Sequence, residues 1–517
     1  MQTIGFNFIF NNAEEQQLTS TPWKSRYQQA ATIFGRQTYL PIDYHQARND
    51  NTLVVGSSGT GKTYSFVEPN VLQANANYVI ADAKGDILAD TGRSLQAQGY
   101  QLQVLNLVDL QHSMTYNPFH YMQSQLDVVS FAHQVVGADI TGQDDNRGKF
   151  DDPFWTNAPA SLLASLIMFT KEFLPADEQT MGTVTRLFEL IDRPDEDVNA
   201  VLASLGCSPS AGEYHFDHDQ YDDGSDVPFS LGERLFSWVE KQNPQSVALR
   251  MWNSVTRSRE SQKTWSSIVG ILGTALAPYV ISDVDHLLAS NQLDFNRLLK
   301  PKTAVFVLYD DADPAKNFIA NVFYAQLFSF LYHHAFKMPA SRLTTKVRFF
   351  LDDFKNIKVP HFDDYLATAR SRNISLCMMV QDESQLVAKF GKNAGSVIGN
   401  CGAYLMTGTT DLTMAKTAAD RFNRTAQAIR RLGERRFLLD VSGYLTAVDR
   451  YDFHDHPNYR PERLEVNQVC QTPQPDEAWL KLTAILQQLP GEHVPESVIP
   501  NMGDLDTPFG DASDLPF

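Results

Sequence analysis

Eight consecutive residues, Gly56-Ser57-Ser58-Gly59-Thr60-Gly61-Lys62-Thr63, constrain this chain more than any other stretch. They match G-x-x-x-x-G-K-[ST], and the context gives the match its meaning: an apolar strand-like run, residues 52–55, enters the loop and a helix-compatible run, residues 64–75, leaves it. Glycines let the backbone curl so that several N–H groups converge, and the helix start adds its dipole, a combination suited to a polyphosphate. The pattern therefore predicts a nucleoside triphosphate site. Lys62 would reach the β- and γ-phosphates and the Thr63 hydroxyl would hold Mg²⁺.

A phosphate loop needs carboxylates on a neighbouring strand. The run VRFFL, residues 347–351, ends in Asp352-Asp353, which places Asp352 on the metal side and Asp353 as candidate base for the attacking water. A further strand, residues 374–380, ends in Gln381, well placed for the γ-phosphate or its water. Between those strands lie Arg370 and Arg372, either structural or, for one of them, an arginine finger reaching a neighbouring subunit.

The rest of the chain frames these motifs. Residues 32–34 and 39–42 are β-like. Runs at 78–81 and 101–107, separated by helical spacing, complete a strand–loop–helix–strand–helix–strand order, the mark of a parallel doubly wound sheet. Strand signals then stop, and residues 126–136, 154–173, 181–190, 197–205, 231–241, 244–258 and 262–276 favour a 3.6-residue period. The α/β pattern resumes at 303–309 and continues through 347–351, 374–380 and 403–408. The expected organisation is an entry segment and first half of a nucleotide domain at 1–121, an inserted all-α domain at 122–288, the second half at 289–460, and a C-terminal helix (residues 477–488) with an acidic disordered tail at 461–517.

Of 517 residues, 43% are hydrophobic and 20% charged, as in an ordinary globular protein of two to four domains. The four cysteines, Cys207, Cys377, Cys401 and Cys470, lie far apart, which argues against a disulfide framework or zinc site. A formal charge of −18 excludes a protein that coats nucleic acid with its whole surface, though not one that holds DNA in a narrow channel. No signal peptide is evident, and the longest apolar runs fall short of the roughly 18 residues that span a bilayer. His215 and His218 lie in a Gly-, Ser- and Asp-rich stretch, residues 208–230, that reads as a solvated loop rather than a metal site. The arginines Arg421, Arg424, Arg430, Arg431, Arg435 and Arg436 form either a salt-bridged helical face or a nucleic-acid or inter-subunit surface.

In order along the chain, GSSGTGKT, VIADAKGDILADTGRSLQAQGYQLQVLNL, DPFWTNAPASLLASLI, FFLDDFKNIKVPHFDDYLATARSRNISLCMMVQDESQL and FGKNAGSVIGNCGAYLMTG occur together. The chain thereby closely resembles the VirD4/TraG family of type IV secretion coupling proteins, over roughly residues 30–425. The resemblance implies an α/β, RecA-like nucleotide-binding domain with an inserted all-α domain, a hexameric ring, and ATP-driven delivery of relaxase-bound single-stranded DNA to a conjugation channel. Lys62 and Thr63 match the family's phosphate-loop pair, Asp352 its metal-side carboxylate, Gln381 its glutamine motif and Arg370 its trans-acting arginine.

Two departures matter. Family members usually carry Asp-Glu where this chain has Asp352-Asp353, and the lost methylene withdraws the carboxylate by more than about 1 Å, enough to slow hydrolysis. Members also usually begin with transmembrane helices. The chain instead reads as a cytoplasmic form, the initiating Met favouring a natural one, that needs a membrane component of the secretion channel to dock at the inner face of the cell membrane. The terminal Asp514-Leu515-Pro516-Phe517 resembles the acidic, Phe-ended tail of bacterial single-stranded-DNA-binding proteins, which suits a partner's basic, apolar pocket; the simpler reading is a solubilising end. Alternatives to the coupling role are an FtsK-like duplex DNA translocase and a nucleotide-bound docking receptor that hydrolyses little.

Overall fold

The computed structural model describes residues 31–42, 49–137, 153–191, 213–215, 230–310, 314–432, 435–470, 472–473, 480–486 and 492–494. The helical reading at 197–205, His218 and the last four residues lie outside these. The chain divides into two compact units, one of residues 1–123, 137–151 and 281–475, the other of 124–136, 152–280 and 476–517.

The first unit is built on a nine-stranded sheet. After a small antiparallel pair, β1 (Ala31–Gly35) and β2 (Thr38–Pro41), its strands are β3 (Thr52–Gly56), β4 (Asn77–Asp82), β5 (Gln101–Asn106), β6 (Thr303–Leu308), β7 (Val347–Leu351), β8 (Ile374–Val380), β9 (Ala403–Gly408), β10 (Arg436–Val441) and β11 (Tyr444–Asp449). Their spatial order is β11-β10-β9-β3-β8-β7-β4-β6-β5. Every pairing from β9 to β5 is parallel, whereas β10 and β11 close one edge as an antiparallel hairpin. Central strands β3, β4, β7 and β8 are buried along their whole length, as parallel strands covered on both faces must be.

That order decides where the site forms. Strand β3 carries the phosphate loop, β8 is its neighbour and β7 the next strand over, so the carboxyl ends of all three open onto one crevice. Registers are locked by side chains: Asn51 donates to the Leu366 carbonyl (3.0 Å) while its Oδ1 accepts from Leu376 N (3.0 Å), pinning the start of β3 to β8. Just before β3 and β7, the buried Asp50 and Lys346 form an ion pair of 2.7 Å.

The segment after the phosphate loop begins as one turn of π-helix, Thr63–Val67, and continues as α1 (Glu68–Leu72), so the sequence-predicted helix over 64–75 is shorter and starts wider. Its apolar face is set by Phe66, fully buried between Phe34 (5.6 Å) and Phe350 (6.4 Å). Truncating such a ring to alanine costs about 3–5 kcal/mol. Asn70, four residues on and on the same side, braces the segment against β1, accepting from Ile33 N (2.8 Å) and donating to the carbonyls of Ile33 (2.8 Å) and Phe66 (2.7 Å). Helix α2 (Asp86–Ala97) follows β4 and is started by Asp82, whose oxygens accept from Gly85 N (3.1 Å) and Leu88 N (2.8 Å).

The second unit is helical in its longer elements: α3 (Gln125–Val136), α4 (Phe154–Phe173), α5 (Met181–Leu190), α6 (Leu231–Gln242), α7 (Val247–Thr256) and α8 (Gln262–Leu276). A capping box, Ser230 with Glu233, starts α6. Phe236 stacks on Trp252 at 4.3 Å, and Trp252 meets Trp265 edge-on at 6.3 Å, so aromatic rings knit α6, α7 and α8. Two short strands depart from the helical expectation: Glu213–His215, within the stretch read as a loop, pairs with Glu492–Val494. The C-terminal helix is described over Leu480–Leu486, and buried Glu178 caps it by accepting from Lys481 N and Leu482 N. Among the described residues no single helix is long and apolar enough to cross a membrane.

Candidate nucleotide site

The phosphate loop is shaped by its glycines and tied to β9. A Cβ at Gly56 would lie 1.9 Å from Thr407 Oγ1, so only glycine lets the strands approach this closely. Ser57 N donates to the Gly408 carbonyl (3.1 Å), and Thr60 Oγ1 meets Thr407 Oγ1 at 2.7 Å. Gly61 has φ +89, and a Cβ there would fall 2.3 Å from Arg450 Nη2. Ser58 and Gly59 form the outer lip of the cavity, which has a volume of about 570 Å³.

Lys62 donates from Nζ to the carbonyls of Gly56 (2.6 Å) and Ser57 (3.1 Å). Burial pulls its pKa down, against the opposing pull of Asp352 and Asp353. The Thr63 hydroxyl donates to Asp352 Oδ2 at 2.7 Å, joining the loop helix to the end of β7. Burial raises the Asp352 carboxyl even though Thr63 and Asp353 N both donate to it. The Tyr309 hydroxyl, at the end of β6, donates to the Asp352 carbonyl and fixes the turn.

Asp353 sits in the left-handed region, φ 47 and ψ 49, where Asp is better tolerated than most residues. Its Oδ2 accepts from Asn356 Nδ2 (2.9 Å) and lies 3.7 Å from Lys355 Nζ. Gln381 follows β8 and lines the same cavity as Lys62, Thr63, Asp352 and Asp353. The structure thus brings Lys62, Thr63, Asp352, Asp353 and Gln381 to one cavity, and neither candidate arginine joins them. Arg370 is exposed in the turn Ala369–Arg372, before the first residue of β8, whereas Gln381 follows its last. A seven-residue strand is about 20 Å long, so Arg370 cannot reach its own chain's cavity. Arg372, the other candidate, donates to the Ser341 carbonyl (2.9 Å).

Sequence reasoning missed several cavity residues: Glu68, Asp82, Asp86, Asp90, Arg450 and Arg463. Glu68 is 4% exposed and its Oε2 has no hydrogen-bond partner; burial first, then Asp90, Asp82, Asp86 and Asp352, push its carboxyl up to about 8. Burial likewise pushes Asp82 up to about 7, against the amides that cap onto it. Arg463 offsets part of this charge through Asp86 and Asp90, each at 3.1 Å. Two of the clustered arginines are engaged locally, Arg421 with Asp440 (3.5 Å) and Arg436 with Asp449 (3.2 Å). Among the described residues no group of three or more His, Cys, Asp or Glu side chains is arranged to hold a metal ion; the side chain of His215 lies outside those described.

A family model described as type IV secretory system conjugative DNA transfer matches residues 11–416. Solved structures that resemble the chain include a bacterial conjugative coupling protein, TrwBΔN70, in unbound form: 16% identity, TM-score 0.56, covering 89% of this chain and 95% of that one. TrwB with the non-hydrolysable ATP analogue ADPNP gives 16% identity, TM-score 0.56 and coverage of 89% and 96%. TrwB with ADP and Mg²⁺ gives 15%, 0.55, 89% and 96%. At such identity these likenesses carry the fold, and they bear out the α/β nucleotide domain with an inserted helical domain. No curated protein sequence matches the chain.

Proposed function

The chain belongs to the type IV secretory system conjugative DNA transfer family, and on that premise we propose that it is the coupling ATPase of a conjugation system, recruiting relaxase-bound single-stranded DNA and delivering it to the transfer channel. One observation carries the enzymatic part: Thr63 Oγ1 and Asp352 Oδ2 stand 2.7 Å apart, with Asp353 and Gln381 in the same cavity. In this reading residues 1–121 and 289–460 make the nucleotide domain, 122–288 the inserted all-α domain, and 461–517 a C-terminal helix and tail.

The oxygen donors of Thr63 and Asp352 suit a hard cation, and TrwB has been seen with ADP and Mg²⁺. Those two residues would hold Mg²⁺, which would neutralise charge on the β- and γ-phosphates of ATP. Lys62 exchanges the carbonyls of Gly56 and Ser57 for phosphate oxygens, and the loop amides from Gly59 to Thr63 cradle the chain. Gln381 orients a water, and Asp353 accepts its proton. The water oxygen bonds to the γ-phosphorus as the bond to the β–γ bridging oxygen breaks, leaving ADP and inorganic phosphate. Arg370 supplies positive charge to the γ-phosphate of an adjacent subunit in a hexameric ring. DNA in the ring stimulates turnover, and the protein works on the cytoplasmic side, held at the inner face of the cell membrane by a partner of the secretion channel.

One feature favours a second reading, a nucleotide-bound docking receptor: the short Asp353 carboxylate is held by Asn356 and Lys355 rather than standing clear for water. Plasmid transfer in cells separates the two. Loss of transfer with Lys62→Ala and with Asp353→Asn supports the motor. Transfer that survives Asp353→Asn but not Lys62→Ala supports the receptor.

A further inference from the structure

The cavity contains an arginine that the reading above does not use. Arg450 directly follows β11, beyond residues 11–416, which the family model matches. Its Nε donates to Ser65 Oγ at 2.6 Å, and its guanidinium carbon lies 5.2 Å from the centre of the Tyr64 ring. Its Nη2 lies against Gly61, where a Cβ would come within 2.3 Å. Three contacts on residues 61, 64 and 65 thus fix one guanidinium against the first turn of the phosphate-loop helix, in the cavity that Lys62 and Thr63 line. The guanidinium fork matches phosphate geometry.

We infer that Arg450 binds the phosphate chain of the nucleotide from within the same subunit, and so ties nucleotide occupancy to the β10–β11 hairpin and the segment after it. The link is physical. Tyr64, next to Thr63, donates from its hydroxyl to Asp452 Oδ1 (2.7 Å), lies 3.0 Å from His454 Nδ1, and meets the Phe453 ring edge-on at 4.8 Å. On the other side, Arg36 N donates to the Asp449 carbonyl at 2.7 Å. A phosphate that draws on Arg450 therefore acts on a segment already fastened to the loop. This inference rests on the nucleotide-site reading.

The test is titration of the full chain with ADPNP and Mg²⁺, comparing wild type with R450A, R450K and S65A. Loss of a charge-assisted contact predicts roughly 10- to 100-fold weaker binding for R450A. R450K should recover part of this, and S65A, which removes the brace but keeps the cation, should stay within about twofold. Should R450A not fold, R450Q carries the same comparison. Equal binding by R450A and wild type overturns the inference, as does an equal loss in S65A, which marks Arg450 as a brace only. Wild type that fails to bind ADPNP defeats the nucleotide reading itself, a result distinct from either. Amide exchange over residues 436–456 tests the link: ADPNP should slow it in wild type and not in R450A, and no change in wild type overturns it.

Discussion

The Thr63 hydroxyl donates to Asp352 Oδ2 at 2.7 Å across 289 positions of sequence. One residue begins the helix behind the phosphate loop, the other directly follows β7, and they meet because only β8 lies between β3 and β7. The hydrogen bond joins two groups suited to hold one cation, and it predicts that they fail together. Thr63→Ala and Asp352→Asn should each lower Mg²⁺-dependent ATP turnover by roughly 100-fold or more, while Thr63→Ser retains most of it. Steady-state ATP turnover titrated with Mg²⁺ checks this, and the double variant should lose little beyond either single one.

Asp353 poses the opposite question. Restoring the longer side chain with Asp353→Glu should raise kcat severalfold, because the carboxylate gains more than about 1 Å of reach. The backbone there is left-handed, φ 47, so the same change should cost about 1 kcal/mol of stability. Turnover and urea denaturation measured on one preparation separate the two effects. Asp353→Asn should abolish turnover and spare binding.

Glu68 makes stability depend on pH. Its carboxyl is raised from an ordinary 4.5 to about 8 by burial and then by its acidic neighbours. The fold therefore holds a proton that the unfolded chain releases, and this contribution is full below about pH 4.5 and lost as pH rises through about 8. Glu68→Gln keeps the shape without the proton. Its Tm should exceed that of wild type at pH 9, with the gap closing towards pH 5. Some slope should remain in the variant, since Asp82 is raised to about 7.

Arg370, exposed at the far end of β8, predicts a defect that depends on assembly. Arg370→Ala should leave ADPNP binding intact and lower DNA-stimulated turnover by about 1,000-fold. Mixing it with Lys62→Ala should restore part of the activity, because a ring then contains interfaces with one intact arginine and one intact loop. No restoration at any mixing ratio would argue against action between subunits.

The parallel strands of the large sheet were legible in sequence because a parallel strand covered on both faces is a continuous apolar run, as in VRFFL or ISLCMMV. Strand ends pointed to Asp352, Asp353 and Gln381 for the same reason: the first polar residue after such a run lies at the crevice. The β10–β11 hairpin was missed, although Ser442-Gly443 between FLLDV and YLTAV is a turn signal, and both residues have positive φ. Missing the hairpin hid Arg450, whose role comes from where an edge strand ends. Glu68 and Arg463 carry no local pattern at all: their meaning comes from burial and from partners far away in sequence.

In the proposed function this site hydrolyses ATP to drive the handling of DNA. Steady-state ATP hydrolysis by the purified chain, with and without single-stranded DNA and beside Lys62→Ala, tests it most directly. A DNA-driven motor should show turnover that rises with single-stranded DNA, rises less with duplex, and disappears in the variant. Turnover unchanged by Lys62→Ala, or ATP bound with no turnover on any nucleic acid, would contradict it.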